Sequence, residues 1–279
     1  MRVGVDGRHL TSGRGVARYV RWLLRAVAER FPGDEWLAFV PGRAPVAPVH
    51  ERVTVIRHPL PGRALFAAAA VTGRPALDAL LGGVDVLWAP APAPLAVTRG
   101  VPLVLTVHDL SWERRPHDFT AYERAWHRLA RPRALAARAR TVVTDAAAVR
   151  DEVLARWALP RERVRVVSPG LGLEAREGAE PEPHPAVPAR YLLFVGALEP
   201  RKGPDVLARA FTAARGRGLD AELVVVGDGR LAGALDGPAI RRLGTVSDHD
   251  LDALYDGALA VVQPSWLEGF GMPPLEAAG

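Results

Sequence analysis

The apolar residues of this chain fall into short runs, and longer amphipathic stretches separate one run from the next. Short apolar runs bounded by turn residues are typical of buried strands, and the longer stretches show the spacing of helices. The predicted strands cover residues 2–6, 53–57, 84–88, 101–107, 141–144, 164–167, 191–195, 221–226 and 258–262, and the predicted helices cover 16–30, 121–138, 146–157 and 204–214. This alternation predicts an α/β fold whose parallel sheets are covered on both faces.

A change in composition past the middle of the chain predicts two domains. A length of 279 residues suits two domains, and a stretch rich in proline, glutamate and alanine runs from Gly178 to Pro188. We therefore predict an N-terminal domain over residues 1–178, a linker over 179–188 and a C-terminal domain over 189–279. Two α/β units joined in this way bind a ligand in the cleft between them.

Charge is distributed unevenly between the predicted domains. Residues 1–178 contain 27 arginines and 17 acidic residues, a net charge of +10, whereas residues 179–279 have a net charge of −5. The N-terminal half is therefore expected to meet an anionic partner more readily than the other half. The absence of cysteine excludes disulfides and cysteine-ligated zinc. No signal peptide or spanning segment is predicted, and we expect a cytoplasmic protein.

The most informative stretch of the sequence runs from Gln263 to Glu276. Two carboxylates, Glu268 and Glu276, lie eight positions apart, with a glycine-flanked aromatic residue between them. A helix is predicted to begin near Pro273 or Pro274, because proline is tolerated at the first helical position. The backbone N–H groups at such a helix start favour an anionic or hydroxyl-rich ligand.

This stretch resembles the E-x7-E motif of retaining, nucleotide-sugar-dependent glycosyltransferases of family four, which have the GT-B architecture. The resemblance implies two Rossmann-like domains that face a cleft, with an acceptor domain first and a donor domain second. It implies that Glu268 binds the donor sugar and that Glu276 accepts hydrogen bonds from the ribose hydroxyls. The sugar contacts are completed by the backbone N–H groups of Gly269, Phe270 and Gly271. Family members continue beyond this motif, so the donor domain is expected to be incomplete.

A loop after the first predicted strand contains Gly13 and Gly15. Glycines between a strand and a helix let backbone N–H groups approach a phosphate. The loop does not match a Rossmann fingerprint, because Arg18 stands where the third glycine belongs. Taken alone, the glycines are a weak signal and favour an ordinary tight turn. The resemblance assigns Gly13 and Gly15 to a loop that faces the donor diphosphate and the acceptor.

The segment that contains His108 and Asp109 follows a predicted strand, at the edge where open α/β sheets bind ligands. A lone histidine here is often structural, but the segment resembles the family's T-x-H-D motif. The resemblance implies that His108 approaches the donor sugar from the first domain. For Asp109, a role in the site and a role in holding the loop both stay open. Asp145 departs from the family pattern, in which a serine is common at that place.

A second basic motif, Glu199-Pro200-Arg201-Lys202, follows the first strand of the second predicted domain. Lys202 is the only lysine of the chain, which otherwise uses arginine. A surviving lysine is consistent with chance, or with a site that needs a compact ammonium group. The motif matches the E-P-R-K motif of the family, which implies that Arg201 and Lys202 neutralise the diphosphate leaving group.

The triplet Asp248-His249-Asp250 has the form of a D-x-D metal motif, but we interpret it as the start of a helix. Ser247 precedes an apolar periodic run and predicts an N-cap, with acidic residues in the first turn. Val246 lies in a segment that resembles the family loop whose backbone contacts the nucleobase. The resemblance implies that no metal ion and no other cofactor is required.

Arginines cluster on two predicted helices of the N-terminal half. They are Arg14, Arg18, Arg21 and Arg25 on the first and Arg124, Arg128 and Arg131, with Trp126, on another. A solvated face explains such arginines, and so does peripheral contact with an anionic membrane on the inner face of the plasma membrane or with a polyprenyl-phosphate acceptor. Both interpretations stay open. Nucleic acid is not an expected partner, because the arginines do not surround stacking aromatic residues and the second half of the chain is acidic.

These observations predict a retaining glycosyltransferase that moves a hexose from a nucleotide-diphosphate sugar to a glycan or a lipid-linked acceptor. The resemblance is greatest to the mannosyltransferase-like branch, so GDP-mannose is the first expected donor and a UDP-hexose the second. The alternatives are a noncatalytic module that binds sugar nucleotides or glycans and a nicotinamide-dependent oxidoreductase. The oxidoreductase alternative is disfavoured, because the first glycine loop lacks the third glycine of a nicotinamide-binding site.

Overall fold

The computed structural model describes residues 1–12, 15–170 and 187–278. The chain divides into two compact units, Met1–Pro169 and Gly170–Gly279. The predicted boundary at residue 178 lies outside the described residues and stays a prediction. Most of the predicted linker lies outside the described residues, so the linker stays a prediction.

A seven-stranded parallel sheet forms the first unit. Its strands are β1 (Arg2–Asp6), β2 (Glu35–Pro41), β3 (Val53–His58), β4 (Val86–Ala89), β5 (Leu103–Val107), β6 (Thr141–Thr144) and β7 (Val164–Val166). Their order across the sheet is β3-β2-β1-β4-β5-β6-β7. The predicted parallel α/β architecture is confirmed.

Helices connect these strands and cover the sheet. They are α1 (Gly15–Arg30), α2 (Gly62–Thr72), α3 (Leu77–Leu80), α4 (Ser111–Arg114), α5 (Ala121–Ala130), α6 (Pro132–Arg138) and α7 (Ala147–Trp157). One buried cluster includes Phe39 and Leu105, and the cluster of the other face includes Val5 and Leu24. Both faces of the sheet are therefore buried from solvent, as is typical of parallel sheets.

The second unit contains a smaller parallel sheet of the same kind. Its strands are β8 (Tyr191–Val195), β9 (Glu222–Val226), β10 (Ile240–Gly244) and β11 (Ala260–Val261), in the order β10-β9-β8-β11. The helices are α8 (Pro204–Gly216), α9 (Asp248–Gly257) and α10 (Met272–Ala278). Two separate buried clusters, around Leu193 and around Phe194, pack against its faces.

The structure corrects three features of the predicted secondary structure. Strands β2 and β10 were not predicted, although β1 pairs along its whole length with β2. The single helix predicted over 121–138 is two helices, because Arg131 has φ 45° and Pro132 starts α6. Proline disfavours a helical conformation at the residue before it, which explains the break.

Candidate active site

The strand order of the second sheet indicates a candidate ligand site. Strand β8 lies between β9 and β11, so the order reverses between β8 and β11. Open α/β sheets bind ligands at the carboxyl ends of strands beside such a reversal. The two segments that leave the sheet there are residues 196–203 and 262–271, and they contain most of the site residues predicted from the sequence.

The two loops beside this reversal are fixed to each other by backbone contacts. The N–H of Trp266 donates to the carbonyl of Arg201 at 2.9 Å. Gly203 has φ 66°, and a Cβ at this position would lie 2.6 Å from the carbonyl oxygen of Pro264. Because only glycine combines this conformation with such a close approach, the sequence places Arg201 and Lys202 directly against the second loop.

An ion pair joins the two loops through their side chains. The Lys202 ammonium lies 2.6 Å and 2.7 Å from the two carboxylate oxygens of Glu268, and Gln263 donates to the same carboxylate. Burial by itself would raise the pKa of Glu268, but the Lys202 charge and the donated hydrogen bonds outweigh it and lower that pKa. Glu268 is therefore ionised at neutral pH. Its ion pair fixes the Lys202 ammonium at the point where the strand order reverses.

A third loop, which follows β9, packs against the first. Gly227 has φ 121°, and a Cβ there would overlap the carbonyl oxygen of Gly196. The Arg230 guanidinium donates to the carboxylate of Glu199 at 2.6 Å. The loops after β8, β9 and β11 therefore form one continuous surface at the carboxyl edge of the sheet.

Helix α10 begins at the end of the second loop, as the proline pair predicted. Gly271 precedes it with φ 86°, and Gly269 and Phe270 are half-buried in the loop. Glu276 is buried, and its carboxylate accepts a hydrogen bond of 2.7 Å from the Tyr255 hydroxyl of α9. This contact fixes α10 against α9 and was not predicted, while the ribose contact of Glu276 stays a proposal.

The predicted helix cap after β10 is confirmed. The Ser247 hydroxyl accepts a hydrogen bond from the backbone N–H of Asp250, and both aspartates lie in the first turn of α9. Val246 is half-buried just before this cap and packs against the core of the second unit. Across residues 1–12, 15–170 and 187–278, no group of three or more histidines and carboxylates is arranged to hold a metal ion.

In the first unit, the structure pairs His108 with a residue that the sequence did not suggest. The Nδ1 atom of His108 lies 2.6 Å from a carboxylate oxygen of Asp145, across the end of the β5–β6 pair. The ring also packs edge-on against Tyr19, with 4.8 Å between ring centroids. Asp145 is buried, and it orients the imidazole so that Nε2 is the ring nitrogen left for another partner. Asp109 holds the loop by accepting hydrogen bonds from Ser111.

A buried polar cluster after β1 was missed by the sequence analysis. Asp6 is fully buried, and its carboxylate lies 3.5 Å from the Arg8 guanidinium. Arg8 also donates to His9 at 3.1 Å and lies over the ring of Phe66. Burial, together with Arg8 and His108, lowers the pKa of His9 to about 3, so His9 is neutral and accepts this hydrogen bond. The only sequence signal was an Asp-Gly-Arg-His segment directly after a strand.

The predicted site residues fall into two groups. The larger group lies in the second unit, on the loops at the carboxyl edge of its sheet and on the adjoining helix. Its members are Arg201, Lys202, Val246, Glu268, Gly269, Phe270, Gly271 and Glu276. The first unit contains His108 and Gly15, which is the first residue of α1. Gly13 lies outside the described residues. No helix in the described part of the chain is long and apolar enough to cross a membrane.

The sequence of the chain matches models of known glycosyltransferase families. A family model described as Glycosyltransferase Family 4 matches residues 13–175, which is more than half of the chain. The chain belongs to glycosyltransferase family 4. A second model, described as Glycosyl transferases group 1, matches residues 179–278 of this family 4 chain and so covers the loops described above.

Similar curated proteins are bacterial glycosyltransferases. The D-inositol 3-phosphate glycosyltransferase of Salinispora arenicola is 32% identical over 208 residues, which cover 64% of this chain and 46% of that protein. The O-antigen chain mannosyltransferase B of Escherichia coli is 36% identical over 102 residues, covering 31% of this chain and 26% of that protein. The family 4 chain spans about half the length of the D-inositol 3-phosphate relatives that it matches.

Solved structures show the fold of the family 4 chain. Sucrose-phosphate synthase from Thermosynechococcus elongatus matches with a TM-score of 0.66 at 17% identity, over 99% of this chain and 78% of that one. Anabaena HepE, solved in complex with UDP and glucose, matches with a TM-score of 0.63 at 19% identity, over 99% and 77%. The fold is therefore GT-B. A UDP-N-acetylglucosamine 2-epimerase from Rickettsia bellii shares it with a TM-score of 0.55 at 10% identity, over 93% and 72%, so the fold alone does not define the reaction.

Proposed function

We propose that this protein is a retaining glycosyltransferase that moves a hexose from a nucleotide-diphosphate sugar to a glycan or a lipid-linked acceptor. The observation that carries the proposal is the Lys202–Glu268 pair, which lies at the strand reversal of the second sheet with Arg201 beside Lys202 in the same turn. Loss of a nucleoside diphosphate leaves negative charge on the departing phosphate. Fixed cations at that place stabilise the charge as it develops.

Each loop of the second unit then has a separate role in donor binding. Arg201 and Lys202 hold the diphosphate, and Glu268 binds the sugar while it orients the ammonium group. The backbone N–H groups of Gly269 to Gly271 precede α10 and face the same ligand. The backbone near Val246 contacts the nucleobase, and Glu276 binds the ribose. His108 approaches the sugar from the first unit.

GDP-mannose is the first donor that we propose, and a UDP-hexose is the second. The mannose assignment is supported by the E-P-R-K sequence at 199–202 and by the similarity to the E. coli mannosyltransferase. The UDP-hexose alternative is supported by the fold relative that was solved with UDP and glucose. Because several relatives are named for D-inositol 3-phosphate, a phosphorylated polyol is a further acceptor to test.

The proposal is tested by a screen of nucleotide sugars. Calorimetric titration with GDP-mannose, UDP-glucose and UDP-N-acetylglucosamine should show one preferred donor, and the parent nucleoside should bind more weakly because it lacks the diphosphate. The anomeric configuration of the product, read by NMR, tests retention. An inverted product would contradict the retaining assignment, and failure to bind any nucleotide sugar would contradict the function itself.

We predict that transfer does not require a divalent metal ion. The two cations Arg201 and Lys202 supply the charge stabilisation that a metal supplies in other transferases. Activity with the preferred donor is therefore expected to be unchanged in excess EDTA. If chelation abolishes turnover and magnesium or manganese restores it, the metal-independent assignment is wrong.

The His108–Asp145 contact predicts a defect in Asp145→Asn. The amide cannot hold the Nδ1 proton as the carboxylate does, so the imidazole loses its fixed orientation. Because hydrogen bonds to charged groups contribute about 1.5–3 kcal/mol, kcat is expected to fall by roughly tenfold or more. The matched control is Asp151→Asn, which makes the same change at an exposed position of α7. An equal kcat in both variants would show that the contact with Asp145 does not position His108.

A further inference from the structure

The first unit contains a second candidate site, apart from the donor loops. It is a cavity of about 440 Å³ bounded by α4, the turn after it, α5 and α6. Its charged lining consists of Arg124, Arg128, Arg131, Arg133 and Glu113, and His127 also lines it. A volume of this size suits a small ligand, and the excess of arginine suits an anionic one.

The carboxylates of this region do not neutralise the pocket. Each of the four acidic residues between positions 109 and 134 already has a partner close by in the chain or on the pocket rim. The pairs are Asp109 with Ser111, Glu113 with Arg133 and Trp157, Asp118 with Arg115, and Glu123 with Thr120. Glu113 and Asp118 are therefore paired with arginines other than Arg128 and Arg131, and Asp109 and Glu123 accept hydrogen bonds from hydroxyl groups instead of pairing with either arginine.

Arg128 and Arg131 lie at the corner where α5 meets α6. Both are exposed, and no ion-pair partner for either occurs in the described part of the chain. Arg131 has φ 45°, a conformation that costs free energy for any residue with a Cβ. A third guanidinium, that of Arg124, donates to the carbonyl of Phe119, which leaves its positive charge in place. The pocket thus has a net positive charge from three arginines.

A flat aromatic wall completes the pocket. His127 is stacked on Trp112 with 4.9 Å between ring centroids and 10° between their planes. Burial lowers the pKa of His127, so the ring is uncharged at neutral pH. The wall therefore adds surface and hydrogen-bonding atoms, while the arginines supply the charge. Trp112 lies on α4, which directly follows the loop that contains His108, so the pocket lies beside that loop.

We propose that this arginine pocket, formed by Arg124, Arg128 and Arg131 around the Trp112–His127 stack, binds a phosphate group. Guanidinium groups pair with phosphate through two parallel hydrogen bonds, and three of them around one cavity fit a doubly charged oxyanion. In the context of the proposed function, on which this interpretation rests, the phosphate belongs to the acceptor. It is supplied either by a soluble phosphate ester or by a phospholipid headgroup.

Two binding measurements made without donor test the pocket. Calorimetry measures the binding of glycerol 1-phosphate, with glycerol as the uncharged reference. Sedimentation measures binding to vesicles that contain phosphatidylglycerol and phosphatidylcholine, with vesicles of phosphatidylcholine alone as the reference. The test variant is Arg128→Gln with Arg131→Gly, since glycine also accepts the positive φ. The control is Arg43→Gln with Arg99→Gln, which removes the same charge from exposed loop positions of the same unit that do not line the pocket.

The test variant is expected to bind at least one of the two anionic probes about tenfold or more weakly than the parent, because charged hydrogen bonds are lost. The control should bind like the parent. Loss for glycerol 1-phosphate identifies a soluble ester, and loss for vesicles alone identifies a lipid headgroup. Equal weakening in both variants, or no binding of either probe by the parent, would overturn the proposal. Since donor is absent, a failed donor screen leaves this result unaffected.

Discussion

Turnover of the donor sugar is expected to fall by a factor of ~10²–10³ in Lys202→Ala, because one preorganised stabilising group typically contributes that much to a transition state. The ammonium of Lys202 is held by both carboxylate oxygens of Glu268, so it needs no reorganisation when charge develops on the diphosphate. Arg201→Ala, in the same turn, is expected to show a loss of similar size. Steady-state kinetics with the preferred donor measure both effects.

Three comparisons separate this effect from a loss of structure. Arg209→Ala removes a cation from the exposed face of the adjoining helix α8 and should leave kcat unchanged. Lys202→Arg keeps the charge but replaces a compact ammonium with a planar group, so it should recover only part of the activity. Thermal unfolding of Lys202→Ala measures whether the protein stays folded when Glu268 loses its ion-pair partner. Turnover near that of the parent in both alanine variants would refute the assignment to the leaving group.

The largest effect on stability is expected at Gly227. An alanine there would have to adopt φ 121°, and its Cβ would overlap the carbonyl oxygen of Gly196. The disallowed dihedral and the backbone clash together are expected to destabilise the second unit by about 3 kcal/mol or more. For a unit of this size, that corresponds to a decrease in Tm of roughly 10–20 °C by calorimetry.

The control for this prediction is Gly237→Ala in the same unit. The nearest atom to a Cβ at Gly237 is 3.8 Å away, and the residue has no positive φ. Its substitution should change the Tm by less than a few degrees. If Gly227→Ala unfolds at the temperature of Gly237→Ala, the loops after β8 and β9 are not in the close contact described here.

The loops after β8 and β11 were predictable because their candidate site residues are local in sequence. The E-P-R-K segment, the glycine-flanked Phe270 and the proline pair in the first turn of α10 are each contiguous, and each follows an apolar strand. Their roles came from a resemblance, however, and the structure adds a contact that no local pattern contains. Lys202 and Glu268 are 66 positions apart, so only the adjacency of β8 and β11 brings them together.

The missed features have separate physical reasons. Strand β10 lies at an edge and exposes Arg241 and Arg242, so it has no apolar run to mark it. Strand β2 does have such a run, and its omission was an error of interpretation. The break at Arg131 was signalled by the proline that follows it. Asp145 gave no signal as the partner of His108, because that contact depends on the pairing of β5 with β6.

The three loops at the edge of the second sheet are held together by their backbones, and this limits how the protein can be altered. Leu198 donates to the carbonyl of Asp228 and accepts from Leu231, while the Trp266 N–H binds the loop from the other side. If one loop were replaced by the loop of another transferase, the new main chain would not fit against the neighbouring loops, which pack against the original backbone path. If these loops bind the donor as proposed, we expect that donor preference changes only when all three loops are exchanged together, and that chimeras with one exchanged loop are poorly suited to redesign.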